Sequence, residues 1–216
     1  MKISTLSRII VCLLVLSASV TPQQKSTFKP DLSHSESISA WIFDGSGSWN
    51  ILQGKLVLYK AGVPAGLIRR PAALAILKTK PFRRVTVEAD IRSTAPLDTI
   101  RRDLDIIVGY ESPTRFYYVH LAGTSDNVHN GIFLVNNANR VRIDAGKGKP
   151  QLKDSTWHHV RVERYGLKGT IAVYVDKRKT PVLEAFDTTI PRGQVGFGSF
   201  DDTGEFRHIV VSGFSE

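Results

Sequence analysis

Along most of the chain, apolar and polar residues alternate with a period of two. The clearest run is Val85-Thr86-Val87-Glu88-Ala89-Asp90-Ile91-Arg92, apolar at odd positions and polar at even ones. This period puts successive side chains on opposite faces of an extended backbone, so the run predicts a half-buried strand. Similar runs, rich in Val, Ile, Tyr and Phe, occupy 55–59, 103–110, 116–122, 131–136, 140–143, 157–164, 170–176, 194–200 and 206–212. Hairpin-type connections lie between several of them, at Glu111-Ser112-Pro113-Thr114 and at 123–128, 136–139 and 176–179. No window keeps helical spacing over several turns; only Pro71 to Leu77, with its alanines, admits a helical turn. Roughly eleven or twelve short strands separated by turn signals predict an all-β, two-sheet antiparallel jelly-roll sandwich.

The start of the chain breaks this pattern. Lys2 and Arg8 precede the apolar run Ile9 to Leu16, and small residues follow at Ser17, Ala18 and Ser19. That layout predicts a signal peptide over 1–19. Polar residues resume at Thr21-Pro22-Gln23-Gln24, so the run is shorter than the ~20 apolar residues a membrane span needs. Residues 20–37, with Pro22 and Pro30, read as a polar arm, and 38–216 as a single jelly-roll domain. The expected location is secreted or periplasmic.

Composition narrows the chemistry. The 216 residues carry 29 Lys+Arg against 20 Asp+Glu, a formal charge of +9; Lys2 and Arg8 supply two of these, so the mature chain keeps +7. The single cysteine, Cys12, lies inside the signal segment, which excludes an intramolecular disulfide and a cysteine-based zinc site. With 42% hydrophobic residues the chain can build a core. The basic residues are scattered in pairs such as Arg69-Arg70, Arg83-Arg84 and Arg101-Arg102. Nucleic-acid binding needs a continuous stripe, so a nucleic acid is not the expected partner, whereas an acidic polysaccharide is compatible with this charge.

Candidate site residues sit in the middle strands. Over 116–122, Val119 and Leu121 share one face and Tyr118 and His120 the other; over 103–110, Asp105 lies opposite Leu104, Ile106 and Val108. Over 140–143, Val141 and Ile143 are expected to point inward, Arg140 and Arg142 outward. If these strands are neighbours, Asp105, Tyr118, His120, Asn130 and Arg142 converge on the non-core face, with His129 or Asn130 across from His120. A carboxylate orienting an imidazole, beside a phenol and a guanidinium, suits general acid–base work or recognition of a sugar carboxylate. The same set suits a glycan groove, and equally a hydrogen-bonded histidine with no ligand. No cofactor is expected; Asp201 and Asp202 could hold a structural Ca²⁺. Glu88 and Asp90 read as a solvated strand face, and Trp41, Trp49 and Trp157 as packing residues.

Several local patterns together resemble a known superfamily. They are Trp41-x-Phe43-Asp44-Gly45, Trp49-Asn50 leading to Gly54-Lys55-Leu56, Phe116-Tyr117-Tyr118-Val119-His120, Trp157-His158-x-Val160-Arg161-Val162, Val173-Tyr174-Val175-Asp176 and Gly196-x-Gly198-Ser199-Phe200-Asp201-Asp202. Their order over about 38–214 resembles the concanavalin A-like lectin/glucanase superfamily, most nearly its laminin-G-like and 3-keto-disaccharide hydrolase-type jelly rolls. The resemblance implies a concave face that meets carbohydrate. Its alternatives are a hydrolase with Asp105 and His120 as acid/base pair and Tyr118, Asn130 and Arg142 holding substrate, or a non-catalytic envelope or adhesion protein. The glucanase signature Glu-x-Asp-x-x-Glu is not met: Glu88-Ala89-Asp90 is followed by Ser93 where the second glutamate would stand.

Overall fold

A computed structural model of the chain describes residues 24–64, 66–146 and 148–215. The expected signal peptide over 1–19 lies outside them. Fifteen strands are present among the described residues: β1 Lys25–Phe28, β2 Trp41–Gly45, β3 Ser48–Leu52, β4 Lys55–Lys60, β5 Ala73–Leu77, β6 Phe82–Ser93, β7 Asp103–Ser112, β8 Arg115–Ala122, β9 Gly131–Asn136, β10 Val141–Arg142, β11 His158–Tyr165, β12 Thr170–Val175, β13 Leu183–Phe186, β14 Gln194–Ser199 and β15 Gly204–Ser215. They form an eight-stranded sheet, β13-β12-β11-β6-β15-β4-β3 with β1 also on β15, and a seven-stranded sheet, β10-β9-β8-β7-β14-β5-β2. All pairings are antiparallel, and the two sheets make a jelly-roll sandwich, as the alternation predicts.

The inner faces supply the main core. Val87, Ala89 and Ile91 of β6 and Val160 and Val162 of β11 meet Leu104, Ile106 and Val108 of β7 and Val119 and Leu121 of β8. Each such side chain, fully removed from water, contributes on the order of 1.5–3 kcal/mol. The long β15 pairs with β6 along its length, with β4 at its start and β1 at its end; a bulge between Arg207 and Val210 marks the change of partner. A bulge bends and twists one strand, which lets the same edge serve two short neighbours.

Three local readings change. Residues 73–77 are not a helical turn: they form β5, buried throughout, because β14 and β2 flank it and both faces are covered. The polar stretch 20–37 contributes β1 to the eight-stranded sheet. Of 140–143 only Val141–Arg142 is strand, on an open edge, and Val141 is 59% exposed where the alternation pointed it inward.

The seven-stranded sheet is covered on its outer face too. Leu74, Ile76, Ile107, Tyr110, Phe116, Tyr118, Phe133, Val135 and Phe200 form a second apolar cluster there, with Ile68 packed on it. Two connections run over this cluster and are tied together, the Arg140 N–H to the Arg69 carbonyl at 3.1 Å and the Arg69 N–H to Asn139 Oδ1 at 2.8 Å. The second cluster and its cover position the candidate site.

Candidate functional site

The β7–β8 register sets Asp105 directly across from His120, on the outer face of the seven-stranded sheet. Their side chains meet at 2.8 Å, Asp105 Oδ1 to His120 Nδ1, and both residues are buried, 0% and 1% exposed. Phe133, Phe200 and Tyr118 present themselves edge-to-face to the imidazole, at interplanar angles of 88°, 85° and 88°. Asp103, two residues before Asp105 on the same face, places Oδ2 3.7 Å from His120 Nδ1 and also accepts the Phe200 N–H at 2.9 Å. Asp105 Oδ2 and His120 Nε2 are buried without a hydrogen-bond partner among the described residues. Burial raises the Asp103 and Asp105 carboxyls well above the ordinary range and lowers the His120 imidazole, so the uncharged forms are favoured.

Above this floor lies a partly exposed rim. Tyr118 stacks on Phe133 at 5.2 Å, and its hydroxyl accepts a hydrogen bond from Arg140 Nη1 at 2.9 Å. The Arg140 guanidinium carbon lies 4.1 Å from the Phe200 ring centre and 4.9 Å from that of Phe133. Two ring faces and one phenol therefore fix the guanidinium. Among the described residues Arg140 has no ion pair. His129 packs beside His120, ring centres 5.7 Å apart, and its Nδ1 is 2.8 Å from both oxygens of Asp126. Burial alone would raise the Asp126 carboxyl. The N–H groups of Val128 and His129 and the His129 ring outweigh it and hold Asp126 below the usual range.

The sequence candidates divide between floor and scaffold. Asp105, His120 and Tyr118 share the outer face, sealed beneath the rim. His120 lies opposite Gly131 in the β8–β9 register, so neither His129 nor Asn130 is its cross-strand partner. Asn130 occupies a left-handed turn conformation (φ 54°), its amide donating to the Lys149 carbonyl at 3.0 Å and its own Oδ1 buried without a partner among the described residues. Arg142 is engaged by the segment 126–146. Its guanidinium donates to the carbonyls of Asp126, His129, Asn130 and Gly146 and to Asp144 Oδ2. Gly131 makes this possible, since a Cβ there would lie 2.8 Å from the Arg142 guanidinium carbon.

Two groups the pattern reading missed are Arg140 and the Asp126–His129 pair. Alternation puts Arg140 on a strand face shared with Arg142, but Arg140 lies just before β10, where alternation does not apply. Asp126-x-x-His129 had a legible signal, a carboxylate accepting the N–H groups two and three residues on, which is turn chemistry.

Two carboxylate groupings could hold a cation. Asp103, Asp105 and His120 offer ligand atoms within 4.8 Å of one another, as do Asp103, Asp201 and Asp202. Asp202 Oδ2 also accepts the Asp103 N–H at 2.8 Å. On the opposite sheet, Asp90 binds His159 at 3.0 Å and His208 at 2.8 Å. Trp41 packs in the core and Trp49 against it, whereas Trp157 lies between Arg92 and Arg207 on the outer side.

No model of a known protein family matches the chain, and no curated protein matches it. Solved structures do. A carbohydrate-binding module, CBM66 from Bacillus subtilis, is similar at a TM-score of 0.56 and 15% identity, over 79% of this chain and 93% of that one. Lectin I from Ulex europaeus, in complex with the methyl glycoside of α-L-fucose, is similar at 0.56 and 14%, over 88% and 98%. Winged bean acidic lectin, complexed with methyl-α-D-galactose, is similar at 0.60 and 12%, over 89% and 100%. At these identities the likeness is one of fold: the chain has a lectin-like jelly-roll fold.

Proposed function

We propose that this jelly roll is an exported carbohydrate-binding domain that takes a glycan at the mouth of the seven-stranded sheet's outer, concave face. The carrying observation is the Arg140 guanidinium. It is fixed by Phe133, Phe200 and Tyr118 and has no ion pair among the described residues. The structural likenesses support the ligand class, since similar proteins are a carbohydrate-binding module and two sugar-bound lectins. A rigid, unpaired guanidinium suits a sugar carboxylate or sulfate, so an acidic polysaccharide is the preferred ligand. Asp103, Asp201 and Asp202 supply the hard oxygen donors that calcium takes, and an ion there would fix the connection after β14 that carries Phe200.

The test is titration calorimetry with acidic and neutral oligosaccharides. Wild type binds an acidic chain. Arg140→Ala weakens binding about 10- to 100-fold, the equivalent of one charge-assisted hydrogen bond. Unchanged affinity in that variant, or no glycan binding by the wild type, contradicts the proposal.

A further inference from the structure

The outer face of the eight-stranded sheet ends, at the start of β6, in a row of alternating aromatic and cationic residues. The registers set Tyr165 of β11 across from Arg84 of β6, Arg84 across from Phe214 of β15, and Phe214 across from Lys25 of β1. Directly opposed residues of a sheet share a face. The Arg84 guanidinium carbon lies 5.4 Å from the Tyr165 ring centre, and Lys168 Nζ lies 5.4 Å from the same ring. Arg83, Arg84, Tyr165, Leu167 and Phe214 line a cavity of about 250 Å³. Lys25, Arg84 and Lys168 are exposed and have no ion pair among the described residues. The carboxylate two residues before Tyr165 on this face, Glu163, is engaged by Arg161.

The apolar part of this corner is held out on a fixed turn. Leu167 lies in the β11–β12 turn and is 60% exposed. The Lys168 N–H donates to the Tyr165 carbonyl at 3.1 Å and the Gly169 N–H to the Gly166 carbonyl at 3.2 Å, while the Gly166 N–H ties the turn to the Arg83 carbonyl of β6 at 2.8 Å. A Cβ on Gly166 would meet the Pro191 carbonyl oxygen, so only glycine lets the turn seat there. Turn positions ordinarily carry polar residues; here an aliphatic side chain projects beside cations that no carboxylate neutralises. We infer that this corner docks on an anionic lipid surface, with Lys25, Arg84 and Lys168 against headgroup phosphates and Leu167 entering the interfacial layer beside Tyr165 and Phe214. A lipid surface offers both partners at once, phosphate outside and hydrocarbon beneath, and long basic side chains reach the phosphates while their stems lie along apolar surface. A soluble acidic polymer would satisfy the cations and leave Leu167 in water. The corner belongs to the opposite sheet from Arg140, so its occupancy is independent of any glycan there.

The test is sedimentation of the full chain with vesicles of phosphatidylcholine alone and of phosphatidylcholine mixed with phosphatidylglycerol, at low and high salt. Wild type should favour the anionic vesicles, and the preference should shrink as salt shortens the range of the attraction. Arg84→Gln and Lys168→Gln should each weaken binding to anionic vesicles about 5-fold, and together about 25-fold. Leu167→Ser should weaken it about 10-fold and leave the salt dependence unchanged. Lys177→Gln with Arg178→Gln, beyond the far end of β12, removes as much charge as the double variant and should change binding less than about 2-fold. All these side chains are exposed, so each variant should melt with wild type. Residues 1–19 are common to every variant, so their own contribution cancels in the comparison. Equal binding to neutral and anionic vesicles, or an equal loss in the distant pair, overturns the docking. Unchanged binding by Leu167→Ser overturns it in favour of charge alone. Retention on heparin that Arg84→Gln abolishes, with no preference for anionic vesicles, overturns it in favour of an acidic polymer. Displacement from vesicles by millimolar inorganic phosphate at constant ionic strength overturns it in favour of a small anion.

Discussion

The scaffold role of Arg142 makes the sharpest quantitative test, because sequence alone assigned that residue to substrate. Its guanidinium ties together four carbonyls of the segment 126–146 and the carboxylate of Asp144 at 2.8 Å. The Asp144 side chain is 0% exposed, and its other oxygen accepts the Ile132 N–H at 2.8 Å. In Arg142→Ala a buried carboxylate loses its counter-charge, a change that typically costs 3–5 kcal/mol. The Arg142 side chain is itself 18% exposed, so water reaches one side of the pair and the lower end applies, about 3 kcal/mol. For a domain of this size that corresponds to a fall of roughly 6–12 °C in Tm. Arg142→Lys keeps the charge but not the planar fork, and should lose about half as much. Urea unfolding followed by tryptophan fluorescence measures both. Glycan affinity should fall only as far as the His129-bearing loop loosens. A loss below about 1 kcal/mol in Arg142→Ala together with abolished glycan binding would refute the reasoning, because it would put Arg142 in contact with ligand.

Three further outcomes follow from other parts of the molecule. Burial would raise Glu205, but hydrogen bonds from Lys55 and Arg92 outweigh it and depress its folded-state pKa. The stability it contributes is present above the ordinary glutamate value and lost as pH falls through the depressed one; Glu205→Gln should cost about 1–3 kcal/mol at neutral pH, with the gap to wild type closing in acid. Tyr117→Phe removes a hydroxyl that donates to Asp187 Oδ1 at 2.5 Å and accepts the Ile190 N–H at 3.0 Å, and should cost about 2–4 kcal/mol in chemical unfolding. Calcium should raise the wild-type Tm and leave that of Asp202→Asn unmoved, by differential scanning calorimetry against a chelator-treated sample.

The fold was legible because its signal is local. The alternation over 85–92 survives as the inner and outer faces of β6, and the faces assigned to Leu104, Asp105, Tyr118 and His120 are the faces they occupy. Where two faces are buried, alternation disappears: Ala73–Leu77 reads as an apolar run because both sides of β5 are covered. The Asp105–His120 contact followed from strand adjacency. The rim did not, because it depends on where loops fold. Arg140 and Arg142 are two residues apart, yet one lies on Phe200 and the other donates to the carbonyls of Asp126, His129, Asn130 and Gly146. No periodicity separates them; the short β10 and the backbone tie from Arg140 to Arg69 do.

The central claim is the proposal that a glycan binds on the outer face of the seven-stranded sheet at Arg140, which lies on Phe133 and Phe200. Nuclear magnetic resonance titration of the labelled protein with an acidic oligosaccharide tests it most directly. The account predicts amide and side-chain shifts concentrated at 126–130, at Arg140 and at 200–202, saturating together and absent in Arg140→Ala. Shifts centred instead on Trp157, Asp90 and His208, on the outer face of the eight-stranded sheet, would contradict it.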